Sequence, residues 1–344
     1  MEGTILLFCQ APGDIPYVLN EYESARINNK SVIIIVVNVY NCYKFLKELS
    51  LKTKDIVFIP YKLLSLKKIY LYPIEQIRLN SYYKKILHNN IVEVYFFSLF
   101  ADWLTFFFVC KLLRKKIKTY YIAGNNKIDG REKETKIVFK KRVIQLLLYF
   151  LTMGGRFKFD IKNHPEYRFM YEDYHSLIRI DKNVSKDLYQ RYSYKNTKID
   201  ARNAILFFIN KCQDFFAHDS YYVILKKILS HLHEKGYYIV AKFHPREGNV
   251  EEISSYIDFE LPIYVPAEFI DFSNFKICLG VDSTSIVKFI NEDRLPTYSL
   301  LDFFEFNDMV QINNLRQLFV SFTNGKIIFI DNFQSLDNIL KEFS

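Results

Sequence analysis

Short apolar runs alternate with longer amphipathic stretches through the first third of the chain. Residues 31–39 (SVIIIVVNV) form a continuous β-branched run, which is typical of a strand buried on both faces. Similar runs predict further strands at residues 4–9, 55–59, 91–97 and 118–123. A helical stretch at 16–27 and others between the strands complete the alternation. This order predicts a parallel sheet with helices on both faces, and so an α/β fold.

The alternation stops over residues 157–200, which are rich in Tyr, Lys, Asp and Asn, and then resumes. In the second half the pattern predicts strands at 204–209, 237–243, 262–265, 275–280, 296–300 and 326–330. It predicts helices at 221–235, from 285, and at 334–343. We therefore expect three parts: an N-terminal domain at 1–156, a connection at 157–200 and a C-terminal domain at 201–344.

The apolar stretch 94–113 is almost long enough to span a membrane, but Asp102 lies near its middle. A strand followed by a buried helix is the better interpretation. A second apolar helix is expected at 137–153, with a basic first turn. The start of the chain has no basic segment before its short apolar run, which favours a first strand over a secretory signal.

Composition sets the broad class. Half of the 344 residues are hydrophobic and 25% are charged, which excludes a disordered chain. The five cysteines are scattered, and none has CxxC spacing, so neither a zinc site nor a disulfide framework is indicated. A reducing cytoplasm is the compartment that fits this cysteine usage.

Charge is distributed unevenly between the halves. The first 200 residues hold 34 Lys and Arg against 19 Asp and Glu, a net charge of +15, whereas the remainder carries −6. Such asymmetry favours an anionic partner for the N-terminal half. No nucleic-acid-binding motif is present, so an anionic membrane surface or an acidic glycan is favoured. The candidate membrane contacts are Lys111, Arg114, Lys115, Lys116, Lys140, Lys141 and Arg142.

Two segments of the C-terminal half place polar groups at predicted strand ends, where parallel sheets bind ligands. His244, followed by Pro245, comes directly after a predicted strand, and a protonated imidazole there suits a phosphate. Ser283, Thr284 and Ser285 lie between a strand and a helix start. They are either an N-cap or, through hydroxyls, N–H groups and the helix dipole, an anion site.

A third segment, Asp129-Gly130, follows the predicted strand 118–123. An Asp with Gly behind it leaves room for close substrate approach, and the carboxylate suits proton abstraction from a hydroxyl. The alternative is an ordinary Asp-Gly turn.

In this order the three segments resemble the motifs of bacterial sialyltransferases of the lipooligosaccharide and capsular polysialyltransferase kind. That family shows an acidic-acidic-Gly motif, then His-Pro, then Ser-Ser/Thr. Pro266-Ala267-Glu268-Phe269 is similar to its Pro-x-Glu segment. One departure is Ile128, which stands where the family has its first acid. A second resemblance, through Asp282 and the residues after it, is to the teichoic-acid glycerophosphotransferases.

The sialyltransferase resemblance implies a GT-B fold, in which two Rossmann-like domains face a cleft. It implies inverting transfer of sialic acid, or a related nonulosonic acid, from its CMP-activated form to a hydroxyl of an oligosaccharide or glycolipid. Asp129 would be the general base, and His244 would stabilise the departing phosphate. The remaining donor or acceptor contacts would be Gly130, Pro245, Glu268 (cytidine or ribose), Ser283, Thr284 and Ser285.

No metal or other cofactor is expected, because no DxD-like pair lies at a strand end beside a phosphate-binding loop. A cytoplasmic enzyme, peripheral on the inner face of the membrane, fits this assignment. Two other functions stay open: a CDP-alditol glycerophosphotransferase, which breaks a phosphorus–oxygen bond, and a non-catalytic carbohydrate-binding protein.

Overall fold

A computed structural model of the chain describes residues 3–60, 72–97, 108, 111–112, 115–123, 157–158, 170–171, 178–181, 184–195, 203–244, 248, 250–292 and 295–343. Contacts divide the chain into two units, Met1–Leu188 and Tyr189–Ser344. The division falls inside the stretch 157–200 that the sequence predicts as a connection. The domain boundaries themselves stay a prediction.

The N-terminal unit contains a six-stranded parallel sheet of order β3-β2-β1-β4-β5-β8. Its strands are β1 Thr4–Cys9, β2 Ser31–Val37, β3 Asp55–Ile59, β4 Ile91–Phe96, β5 Lys118–Ala123 and β8 Ile178–Asp181, and a two-residue pair, β6 Phe157–Lys158 and β7 Met170–Tyr171, is antiparallel. Its helices are α1 Ile15–Ile27, α2 Tyr40–Glu48, α3 Tyr72–Leu87 and α4 Lys186–Arg191. All six residues of β1 and six of the seven in β2 are buried. The β-branched and apolar runs therefore form central strands covered on both faces, as expected.

The C-terminal unit contains a five-stranded parallel sheet of order β11-β10-β9-β12-β13. Its strands are β9 Ala204–Ile209, β10 Tyr238–Phe243, β11 Phe259–Glu260, β12 Ile277–Gly280 and β13 Thr297–Ser299. Its helices are α5 His218–Glu234, α6 Thr284–Glu292, α7 Met309–Phe322 and α8 Phe333–Lys341. The core on one face of this sheet joins strand residues such as Phe207 and Ala241 to Leu225 of α5 and Leu336 of α8. The opposite face carries Phe208, whose ring lies 5.4 Å from that of Phe289 in α6.

Two predicted strands of the C-terminal half are wrong. Residues 262–265 form a turn, and the edge strand is instead β11, three residues earlier. The reason is Pro262, which has no N–H group to continue the ladder. Residues 326–330 contribute one isolated bridge, Ser299 to Phe329, rather than a strand. The sequence analysis also missed α7, whose buried side is thin and includes Ile312 and Phe319.

The strand predicted at the start of the long apolar stretch is present as β4, which ends at Phe96. Most of the stretch beyond it, and all of the predicted helix 137–153, lie outside the described residues. Among the helices that the structure describes, none is long and apolar enough to cross a membrane.

Candidate functional site

The strand order of the C-terminal sheet gives it a topological switch point at its carboxyl edge. β9 comes first in the chain and lies in the centre, β10 pairs with one side of it, and β12 pairs with the other. The connections therefore leave β9 and β12 in opposite directions. In open α/β sheets this switch point is where ligands bind, beyond the carboxyl ends of the strands. The sequence segments at His244 and Ser283 both follow strands that border β9.

The register aligns three polar residues along this edge. The starting point is a row of paired strand residues, in which Lys242 of β10 and Gly280 of β12 both pair with Phe208 of β9. Two residues further on, the same strands lead to His244, Asn210 and Asp282. These three residues lie just beyond the ends of β10, β9 and β12, each two positions after a member of the first row. We call His244, Asn210 and Asp282 the edge row.

Hydrogen bonds hold the edge row in place. The His244 N–H group donates to the Ile209 carbonyl over 3.2 Å, which extends the ladder between β10 and β9 by one residue. The Asn210 amide donates from Nδ2 to Asp282 Oδ1 over 2.8 Å, which joins the ends of β9 and β12. All three side chains are partly exposed. The row therefore offers an imidazole, an amide and a carboxylate to a ligand at the switch point.

Two hydrogen bonds from the end of β13 hold the turn from β12 into α6 in place. The Leu300 N–H group donates to the Gly280 carbonyl over 2.8 Å, and the fully buried Ser299 hydroxyl donates to the Val281 carbonyl over 3.0 Å. Gly280 is required for the close approach of α6. A Cβ atom there would lie 2.7 Å from Cγ2 of Ile286, closer than side chains tolerate.

Ser283 is the N-cap of α6. Its Oγ accepts a long hydrogen bond, 3.4 Å, from the Ser285 N–H group, and the residue is 8% exposed. Thr284 is exposed and Ser285 is partly exposed. The capping role raised by the sequence is thus present. Capping does not conflict with anion binding, because the dipole and the first N–H groups of α6 are at the same end.

Glu268 lies in a single 3₁₀ turn, Ala267–Phe269, and is paired with α6. Its Oε1 is 3.3 Å from Nζ of Lys288, one turn into the helix, and Lys288 Nζ also lies 5.1 Å from the ring centre of Tyr189. The Glu268 and Ser283 segments are therefore joined through α6. The pairing gives Glu268 a structural role, and its predicted contact with the cytidine or ribose stays a prediction.

Lys242 is buried beneath the edge row, with 3% of its surface exposed. Its Nζ donates to the carbonyls of Phe243 and Ile263, each over 3.2 Å. Burial lowers the pKa of Lys242 to about 8, and the charge of Glu268 partly opposes that shift.

Cys212 is the thiol near this site. Burial, followed by the charges of Asp282 and Asp214, raises the pKa of Cys212 to about 11. The thiol is therefore protonated at neutral pH, which argues against a nucleophilic role. Among the described residues, no group of three or more His, Cys, Asp or Glu side chains is arranged to hold a metal ion.

The structure brings together part of the predicted site and adds to it. His244, Ser283, Thr284, Ser285 and Glu268 belong to the C-terminal unit, around the ends of β10 and β12. Asp129, Gly130 and Pro245 lie outside the described residues, and their roles stay predictions. Sequence reasoning missed Asn210, although its position directly after a fully buried strand was a usable signal.

Neither a protein-family model nor a curated protein matches the sequence. Among solved structures, the chain is similar to the putative UDP-N-acetylglucosamine 2-epimerase of Listeria monocytogenes. The identity is 10% and the TM-score 0.51, over 99% of this chain and 91% of that one. It is also similar to the glycosyltransferase SnogD of Streptomyces nogalater, with 7% identity, a TM-score of 0.50 and the same coverage. Identities this low establish the fold alone. The expected fold class, α/β with two Rossmann-like domains of the GT-B type, is thereby confirmed.

Proposed function

We propose that the chain is a glycosyltransferase that binds the nucleotide of an activated sugar at the edge row of the C-terminal unit. The observation that carries this proposal is the position of His244, Asn210 and Asp282 at the switch point of the sheet, beside the start of α6. The solved structures with this fold include proteins named for a UDP-sugar and for glycosyl transfer, which supports the general class.

The transferred sugar is proposed to be sialic acid, or a related nonulosonic acid, supplied as its CMP derivative. This finer assignment rests on the sialyltransferase resemblance of the Asp-Gly, His-Pro and Ser-Thr-Ser segments. The acceptor is a hydroxyl of a cell-surface oligosaccharide or glycolipid, and transfer inverts the anomeric configuration. CMP would leave through an oxocarbenium-like transition state, in which negative charge develops on its phosphate.

The residues of the C-terminal unit divide this work by their chemistry. A protonated His244 donates to the departing phosphate, and the Thr284 hydroxyl and the first N–H groups of α6 add further donors. Asp282 is an acceptor, and the Asn210 amide orients its carboxylate. It therefore suits a hydroxyl of the donor rather than the phosphate. Asp129 is the proposed general base for the acceptor hydroxyl.

The test supplies the purified chain with CMP-sialic acid and an oligosaccharide acceptor, and follows CMP release together with product mass. Parallel reactions contain UDP-N-acetylglucosamine or CDP-glycerol as the donor. Sialylated product supports the proposal. Transfer from CDP-glycerol alone would identify the chain as a glycerophosphotransferase. Transfer from UDP-N-acetylglucosamine alone would show that the donor is a UDP-sugar rather than a CMP-sugar. No nucleotide binding at all would favour a carbohydrate-binding protein.

The general base has its own variant. Asp129→Asn should lower the rate of transfer by about 10² to 10⁴, the usual contribution of a positioned base, while CMP affinity is unchanged. Glu132→Gln and Glu134→Gln are matched controls from the same segment. If one of these controls is inactive while Asp129→Asn transfers sugar normally, the base has been assigned to the wrong residue.

A further inference from the structure

The buried ammonium of Lys242 occupies an unusual place in the C-terminal sheet. The ladder between β10 and β11 pairs Val240 with Phe259 and Ala241 with Glu260. Its last main-chain bond runs from the Leu261 N–H group to the Ala241 carbonyl over 2.9 Å. Pro262 follows and has no N–H group to donate.

Beyond that point, the lysine side chain joins the two segments. Nζ donates both to the Phe243 carbonyl, at the end of β10, and to the Ile263 carbonyl, in the turn after β11. Two carbonyl groups cannot bond to each other, so they need a donor with two N–H groups between them. Lys242 therefore connects the strand that ends at His244 to the segment that leads to Glu268.

Electrostatic interactions also link β10 to the 3₁₀ turn that contains Glu268. Glu268 favours the protonated form of Lys242 and forms the ion pair with Lys288 of α6. Glu268 is thus ion-paired with Lys288 and acts on Lys242 through its charge, so electrostatic interactions run from β10 through the 3₁₀ turn to the helix that Ser283 caps. Burying the charge of Lys242 costs free energy, and for this reason burial lowers the pKa of Lys242 to about 8. A neutral side-chain amide would bridge the two carbonyls without that cost.

We propose that Lys242 is a positioning residue for the anion site. Its ammonium holds the Glu268 segment against the end of β10 and adds positive charge beneath the edge row. The inference rests on the proposed function in so far as the anion is the phosphate of a nucleotide. The titratable and charged groups on the elements around Lys242 are Glu268 of the 3₁₀ turn, Lys288 and Glu292 of α6, Glu260 of β11 and His244 at the end of its own strand.

Two variants separate the parts of this role. Lys242→Met removes both the charge and the hydrogen bonds, whereas Lys242→Gln removes the charge and keeps an NH₂ donor, on a side chain that is one bond shorter. We expect Lys242→Met to weaken CMP binding about tenfold at pH 7, by calorimetry, the equivalent of about 1.4 kcal/mol. Lys242→Gln should also weaken CMP binding but retain the protection of amides 261–269 against hydrogen exchange. Lys242→Met should lose that protection.

The pH profile is the readout that a purely structural role would not change. Wild-type affinity for CMP should fall between pH 7 and 9.5 as Lys242 loses its proton, and the fall should persist in His244→Ala. In Lys242→Met the decrease with a midpoint near pH 8 should be absent. Melting temperatures at each pH show whether the variants are folded.

The outcomes are distinguishable. If the wild type binds CMP and Lys242→Met binds it equally well with the same pH profile, the positioning role is wrong and the proposed function stands. If the wild type binds no CMP, the proposed function fails. In that case the hydrogen-exchange result decides the positioning role alone, and unchanged protection of amides 261–269 in Lys242→Met would overturn it.

Discussion

The two units share a Rossmann-like strand order. They differ in the groups that stabilise the turn between a strand and the helix after it, which is the turn from β1 to α1 in the N-terminal unit and from β12 to α6 in the C-terminal unit. After β1, the Asp14 carboxylate accepts from the Gln10 and Ala11 N–H groups, over 2.7 and 3.0 Å, and is 2% exposed. After β12, the Ser285 N–H group meets the neutral Ser283 hydroxyl. One turn thus contains its own buried anion, and the other is capped without charge.

This difference indicates which unit suits the phosphate of a donor. An anionic ligand at the β1 turn would meet N–H groups already bonded to a carboxylate and would be repelled by its charge. At the β12 turn it meets hydroxyl groups, a helix N-terminus and an imidazole. Asp282, a carboxylate of that region, accepts a hydrogen bond from the side chain of Asn210. This difference therefore favours the C-terminal unit for the proposed donor site.

Among the variants that test this comparison, His244→Ala has the largest expected effect. Removing one donor to the developing phosphate charge should lower turnover by about 10² to 10³. Stability should change little, because the side chain is partly exposed beyond the end of β10. Steady-state kinetics with CMP-sialic acid and a thermal melt measure both quantities. Full activity in this variant would remove His244 from the mechanism.

Ser283→Asp introduces a carboxylate into the turn after β12, as Asp14 does in the turn after β1. Aspartate caps helices as well as serine does, so the unfolding free energy should be retained. CMP affinity should fall tenfold or more, since a new carboxylate faces the phosphate; about 1.4 kcal/mol of repulsion is sufficient. Ser283→Asn, a neutral cap of the same size, is the matched control and should bind CMP as the wild type does. Equal affinity in the Asp variant would place the phosphate elsewhere.

The reciprocal change, Asp14→Ala, should affect stability but not the donor. Two partly buried N–H groups lose their acceptor, which should cost about 1–3 kcal/mol of unfolding free energy by denaturant titration. CMP affinity should stay within experimental error. A variant that folds normally but no longer binds CMP would transfer the donor site to the N-terminal unit.

The smallest effect concerns the basic N-terminal half and the proposed anionic membrane surface. Of the candidate contacts, Lys115 and Lys116 are exposed, while Lys111 donates to Asn80. Replacing both exposed lysines with Ser should weaken binding to anionic vesicles by about 1 kcal/mol per residue, an effect that fades with salt. The adjacent pair Lys226 and Lys227 of α5 provides the control. Equal cosedimentation with neutral and anionic vesicles would contradict a lipid partner.

The sequence correctly predicts those strands that can be identified from their own apolar composition. The runs at β1, β2 and β9 are apolar apart from the first residues of β1 and β2, and they are fully or almost fully buried, so their composition identifies them. It failed at 262–265, where an apolar run follows the proline that ends the ladder, and at α7, whose buried stripe is narrow. At 262–265 the missing N–H group of the proline decides the structure, and at α7 packing rather than propensity does.

The site was predictable by residue type but not by arrangement. His244 and Ser283 are visible because each follows a strand-like run. The bond between Asn210 and Asp282 joins residues 72 positions apart, and only the strand order and register bring them together. The same holds for Lys242, whose position at a strand end suggests exposed charge, whereas the turn after β11 buries it.

The most direct test of the account is a crystal structure of the chain with CMP. The account predicts that the phosphate lies beyond the ends of β9 and β12, within hydrogen-bonding distance of His244 and of the first turn of α6. CMP bound instead at the end of β1, beside Asp14, would contradict the assignment of the donor to the C-terminal unit.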